Sequence, residues 1–257
     1  FVVLFFLPES LVFLLSKQPK NALAKANSLL LKLKRPLLET LPKSELSNEK
    51  VSDIGLLFSK RYLSSSILLW LAFFMCMMTQ YFLVSWLPKI LIDAGLSTNE
   101  GISAGVVMSV GGITGMLLLG VVSTRFDLVR TVNIYYAVAV IAMVGLGSLS
   151  LNLNALLVVT FIIGFLLYGG IIGLYMIGAW LYPSSIRNSG VGWAIGIGRF
   201  GAVLGPYLAG IFIGAGMDKW LYFSLFALPL LVCVFATGMM KIKTNAASSL
   251  PLMEDPR

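Results

Sequence analysis

Six apolar runs, each about as long as a bilayer is thick, limit what this chain can fold into. They cover approximately residues 66–87, 102–122, 132–150, 155–178, 190–214 and 220–240. An α-helix needs roughly 20 apolar residues to cross the hydrocarbon core. Helices are the economical form for such runs, because lipid offers no partner to an unpaired backbone amide. The runs are bounded by charge or turn chemistry: Pro88-Lys89 after the first, Asn152 and Asn154 between the third and fourth, Pro183-Ser184 after the fourth, Asp218-Lys219 before the sixth. Composition agrees: 58% of residues are hydrophobic and only 12% charged, where a soluble domain carries roughly a quarter. The chain reads as an all-α membrane protein, with a six-transmembrane-helix bundle over 66–240.

Charge gives the orientation. Sixteen of the 19 Lys and Arg lie before the first run, in the 123–131 and 179–189 loops, or after the last run. The opposite side carries Lys89 and Lys219, and Arg199 lies within a run. Positive charge collects on the cytoplasmic side, so residues 9–65 read as a cytoplasmic loop and 241–257 as a cytoplasmic tail. The short apolar stretch 1–8 reads as the end of a preceding transmembrane helix, and the chain as a C-terminal fragment. Within the loop, Asn21 to Lys34 has an amphipathic pattern with Ala22, Ala26, Leu29, Leu30 and Leu33 on one side, and Pro36 is expected to stop it. That helix suits a solvated connector, a cytoplasmic gate or an anchor on anionic lipid.

Several function classes drop out. The +8 charge flanks apolar runs instead of forming a basic stripe, so nucleic acid is no partner. There is no histidine, which removes His-based triads and His-containing zinc sites. Cys76 and Cys233 fall inside apolar runs, as inert packing thiols do. No metal site, no cofactor and no catalytic residue is implied. Gly196-Ile197-Gly198-Arg199-Phe200-Gly201 spells a dinucleotide fingerprint, but such a motif has meaning only between a strand and a helix. Here it is embedded in an apolar run.

Arg199 is the most informative residue. It lies nine residues past Gly190, roughly 13 Å into its span at about 1.5 Å per residue, near the bilayer midplane. An intramembrane charge marks a functional site by default. The six runs contain no Asp or Glu, so its partner is a substrate anion, a carboxylate outside this chain, backbone carbonyls, or the interface reached by snorkelling. The first run supplies the polar and aromatic cluster Thr79, Gln80, Tyr81, Ser85 and Trp86. Tyr168 and Tyr175 lie seven apart on one face of the fourth, and Trp193 precedes Arg199 in the fifth. Aromatic rings, a few hydrogen-bonding groups and one cation suit an aromatic carboxylate. Gln80, Tyr81, Tyr168, Tyr175, Trp193 and Arg199 are therefore the candidate substrate-binding residues. Arg187, at the mouth of the fifth run, is a candidate for steering anions or latching a gate. Glycines four apart, as at Gly111 and Gly115 or Gly201 and Gly205, allow close helix packing, and Gly205-Pro206 predicts a kink.

Certain stretches resemble a known family. Six spans after a basic loop are similar to the second half of a major facilitator superfamily transporter, one half of a twelve-helix fold. Leu7-Pro8-Glu9-Ser10 looks like the close of that fold's sixth helix. Gly120 to Arg130 resembles the loop between its helices eight and nine, with Thr124 in place of the usual acid and Asp127 in place of a glycine. Arg125 and Arg130 stand at its basic positions, with a gating role implied. Trp86-Leu87-Pro88 with Ala94-Gly95-Leu96-Ser97, and Tyr182-Pro183-Ser184-Ser185-Ile186-Arg187 with Gly190-Val191-Gly192-Trp193-Ala194, Gly198-Arg199-Phe200-Gly201 and Gly205-Pro206, are similar to the aromatic acid:proton symporters. The resemblance implies proton-coupled uptake of aromatic or other organic carboxylates across a bacterial inner membrane. Its partners would be the lipid bilayer, a small organic anion, protons and an N-terminal six-helix half that carries the coupling acid. A carrier of sugars, organic ions or other metabolites, and an inactive truncated membrane protein, are the alternatives.

Overall fold

The computed structural model describes residues 11, 14–15, 18–32, 35–41, 54–93, 95–148 and 152–240. The Leu7–Ser10 motif, residues 42–53 and the 241–257 tail lie outside them. The chain divides into two units, 1–53 and 54–257. In the first, helix α1 (Ala22–Lys32) buries Ala22, Ala26 and Leu30, a stripe with helical spacing. Asn27 holds the returning chain from both sides of its amide, donating to the Leu38 carbonyl and accepting from the Leu38 amide.

The second unit is a bundle of helices. A 3₁₀ turn (Ile54–Phe58) leads into α2 (Leu63–Asp93), α3 (Thr98–Val122), α4 (Leu128–Ser148), α5 (Leu153–Leu181), α6 (Ser184–Gly214) and α7 (Lys219–Met239). Among the described residues, these six are long and apolar enough to cross a membrane. The protein is an integral, multi-pass membrane protein.

The helices run past the apolar windows, because polar turns outside the hydrocarbon are still helical. α2 continues through Pro88 to Asp93, where a Lys89–Asp93 ion pair one turn apart at 2.7 Å closes its last turn. Starts are capped by short polar side chains. Ser97 and Glu100 form a reciprocal capping box on α3. Asn152 accepts from the Ala155 amide to begin α5. Asp127, the departure from the family loop, accepts from the Arg130 amide and so starts α4.

Helix α2 is the hub, in contact with α3, α5, α6 and α7, while α3 lies along α5 and α4 along α7. Lipid tails are as apolar as leucine, so packing and interhelical hydrogen bonds, more than water exclusion, hold the helices together. Two glycine seams allow this. A Cβ at Gly111 would land on the Phe161 carbonyl of α5, and one at Gly115 on the Phe165 carbonyl. A Cβ at Gly201 would land on the Phe74 carbonyl of α2, and one at Gly205 on the Met78 carbonyl. At the α2–α7 contact Phe82 stacks on Phe226 with centroids 4.0 Å apart, and Thr79 donates to the Phe226 carbonyl at 2.8 Å. Cys76 and Cys233 are buried in this region as free thiols. Cys76 accepts from the Tyr136 hydroxyl, and Cys233 donates to the Ala72 carbonyl.

Candidate functional site

Arg199 is 15 residues from either end of α6, the midpoint of the helix. Its Nη1 donates to the hydroxyl of Tyr81 on α2 at 2.8 Å. The Gly201 and Gly205 seam makes this bond reachable, because it presses the α6 backbone onto α2 one turn away. Tyr81 is neutral and half-buried, so it orients the guanidinium without cancelling its charge. The carboxylates within α2–α7 are Asp93 and Glu100, both in terminal turns and both engaged, with Lys89 and Ser97 respectively. Among the described residues Arg199 therefore has no countercharge.

The polar run before it on α2 divides by direction. Successive residues step about 100° around a helix. Thr79 faces α7, where it is bonded to Phe226, and Tyr81 faces Arg199 on α6. Gln80 lies between these directions on the remaining side; it is 7% exposed, and among the described residues its Oε1 has no hydrogen-bond partner. Tyr175 on α5 sets its ring edge-on to Phe73 of α2, centroids 5.1 Å apart. Tyr168, two turns earlier on the same face, lies where a side chain at Gly112 of α3 would stand. The structure thus joins Arg199 directly to Tyr81, with Gln80 beside it in the chain, while the two α5 tyrosines pack at Phe73 of α2 and Gly112 of α3.

Trp193 belongs elsewhere. Six residues before Arg199, it sits about 9 Å along the axis and about 120° around it. It forms an aromatic cluster with Trp70 of α2, centroids 6.0 Å apart, and with Phe58 of the 3₁₀ turn at 6.5 Å. An open apolar groove runs along this outer face of α6 over Ser189, Gly192, Trp193, Gly196, Ile197 and Phe200, and Arg199 does not line it.

The Tyr182 end of the bundle is tied by a side-chain pairing that the sequence did not indicate. The Tyr182 hydroxyl donates to Ser66 at the start of α2 at 2.9 Å, and Tyr62 packs on the Tyr182 ring. Burial raises the Tyr182 phenol above its ordinary pKa, which keeps it a neutral donor. Gly190 leaves room for the same ring. Arg187 Nε donates to the Tyr182 carbonyl at 3.4 Å. Arg125 and Arg130 are exposed, and among the described residues neither has an acidic partner. Ser66 and Tyr182 are 116 residues apart, so no local signal joins them. Trp86, part of the first run's polar and aromatic cluster, donates its Nε1 to the Pro206 carbonyl of α6 at 3.0 Å.

Comparison with known proteins shows the family. Residues 3–180 match the Major Facilitator Superfamily. The chain is 32% identical to a gallate transporter of Pseudomonas putida over 81% of its own length and 47% of that protein's. It is 30% identical to the 4-hydroxybenzoate transporter PcaK of Acinetobacter baylyi over 89% of this chain and 51% of the relative. A 3-(3-hydroxy-phenyl)propionate transporter of Escherichia coli is 31% identical over 70% of this chain and 45% of its own. The chain spans about half the length of these curated relatives.

Proposed function

The chain belongs to the Major Facilitator Superfamily, and on that premise we propose that it serves a secondary transporter for aromatic carboxylates. The observation that carries this reading is Arg199, a cation at mid-span whose one described partner is a neutral phenol. A fixed cation without a countercharge is costly in a membrane unless a ligand or another part of the protein completes it. A carboxylate placed there would accept from the guanidinium and from the Tyr81 hydroxyl. The reading assigns Tyr168 and Tyr175 of α5 to the ligand's ring, since an aromatic ligand needs ring faces and edges. The named substrates of the relatives, gallate, 4-hydroxybenzoate and 3-(3-hydroxy-phenyl)propionate, share a carboxylate and a hydroxylated ring.

The proposal extends to proton-coupled symport in the bacterial inner membrane, with six further helices completing the site and supplying the coupling acid. Trp193 contributes to the wall of the α6 mouth, not to the carboxylate subsite. Arg187, Arg125 and Arg130 steer anions or latch the cytoplasmic side.

The test is substrate binding and thermal stability measured on the same Arg199 variants of the full-length protein. Arg199→Ala should abolish binding of 4-hydroxybenzoate while leaving insertion and stability intact. Arg199→Lys should be much poorer than wild type, since a point charge cannot reproduce the planar two-point grip on a carboxylate. A structural ion pair predicts the reverse: Ala destabilises the fold, and removing the partner acid restores it. Ordinary affinity in Arg199→Ala refutes the substrate role.

A further inference from the structure

Of three consecutive polar residues on α2, two are committed. Thr79 is engaged by the Phe226 carbonyl and Tyr81 by Arg199. Gln80 is not: its Oε1 is buried and unpartnered, in a side chain 93% buried by its 7% exposure. Buried amide oxygens nearly always find a donor, and an exception calls for a reason. An apolar residue of the same size would pack there without the penalty, so the amide is retained at a cost to the fold.

The position of Gln80 says what could pair with it. Its Cα is about 3.8 Å from that of Tyr81, and the Tyr81 hydroxyl stands one ring length away, at Arg199. A ligand lying alongside the Tyr81 ring, its carboxylate on Arg199, brings the far edge of its own ring back to the root of Tyr81, where the Gln80 side chain begins. The α2–α3 contacts support the same location. Pro88 packs near Gly101 and Gly105 on antiparallel α3, so eight residues back along α2 Gln80 is level with Gly112, the glycine that makes room for Tyr168.

We propose that Gln80 is the specificity-determining residue for a ring hydroxyl, its amide oxygen accepting from a phenolic O–H of the bound aromatic carboxylate. This rests on the carboxylate reading of Arg199 and extends it. Arg199 and Tyr81 bind the group that all such acids share, and Gln80 distinguishes the hydroxylated ring from the plain one. No atom is transferred; the ligand's hydroxyl exchanges water for a buried acceptor that has no donor among the described residues.

The experiment measures binding of 4-hydroxybenzoate and of benzoate to the purified full-length protein, with its thermal unfolding, for wild type, Gln80→Met, Gln80→Leu and Arg199→Ala. The proposal expects both Gln80 variants to bind 4-hydroxybenzoate about tenfold more weakly, the scale of one net hydrogen bond. Benzoate affinity should stay within about twofold, and unfolding should occur no lower than in wild type, since an orphaned group has been removed. Equal loss of both ligands, unchanged affinity for both, or a clear fall in the unfolding temperature of both Gln80 variants overturns it. Arg199→Ala separates the two levels. If that variant binds both ligands normally, the carboxylate reading fails and this proposal falls with it; if it binds neither while the Gln80 variants do not discriminate, only the hydroxyl subsite fails.

Discussion

Replacing Gly111 by alanine should loosen the α3–α5 seam, and a second glycine on the same helix supplies the internal comparison. A Cβ at Gly111 would land on the Phe161 carbonyl, with the carbonyl carbon at 3.0 Å and the Phe161 Cα at 3.2 Å. All three are helix backbone, so no side chain can swing aside. Restoring van der Waals separation requires the helices to part by on the order of 1 Å. Overpacking of this kind costs about 1–3 kcal/mol, while the better helix propensity of alanine returns up to about 1 kcal/mol. A Cβ at Gly105 meets only the Pro88 ring, at 3.7 Å, an ordinary contact. Gly105→Ala therefore keeps the propensity gain without the clash. The two variants should differ by about 2 kcal/mol, which corresponds to roughly 4–8 °C in a bundle of this size. Thermal unfolding in detergent, followed by near-ultraviolet circular dichroism, reads the difference directly. If Gly111→Ala unfolds at or above the temperature of Gly105→Ala, the close backbone approach is not what holds α3 to α5.

Tyr182→Phe and Ser66→Ala should each lower stability by about 1 kcal/mol, and the double variant by little more, because the pair shares one buried hydrogen bond. Additive losses in a thermal double-variant cycle would show that the bond contributes nothing. A cysteine placed at Ser249 should resist an impermeant thiol reagent in right-side-out vesicles, since the distribution of Lys and Arg puts the tail inside; ready labelling would reverse the topology.

The spans were legible because lipid leaves a long apolar run one economical fold, and that constraint acts on the run as a whole. Their ends were less legible. Leu63–Ser65 and Pro88–Asp93 are helical although they fall outside the apolar window. At the second of these the local support is the Lys89–Asp93 ion pair, which hydropathy does not register. Arg199 stood out because charge is scarce in the spans, and its depth followed from counting residues. Its partner did not follow: Tyr81 is 118 residues away, and the sequence offered it only as one of a polar cluster. Trp193 shows the opposite error in grouping. Nearness in sequence suggested company for Arg199, while the 3.6-residue period carries it to another face, against Trp70 and Phe58. Tyr182 stood in a family-like motif, but nothing paired it with Ser66, because a tertiary hydrogen bond leaves no periodic trace.

Helix α6 carries two demands on one period. Gly198, Gly201 and Gly205 share the side that faces α2, each placed where a Cβ would strike a residue of that helix. Arg199 follows Gly198 by one residue, hence by about 100°, which brings its guanidinium around the edge of the same seam to Tyr81. Close approach is what makes a neutral hydroxyl on α2 available to a cation on α6. Larger residues along the seam would move the helices apart and take the Tyr81 hydroxyl out of reach of Arg199. The glycines thus act on the candidate site through helix separation, although none of them contributes a functional group. Gly192 and Gly196 lie on other faces of α6, where an added Cβ would meet nothing within 4 Å among the described residues. On one helix, the direction of each glycine around the axis decides whether it takes part in the seam.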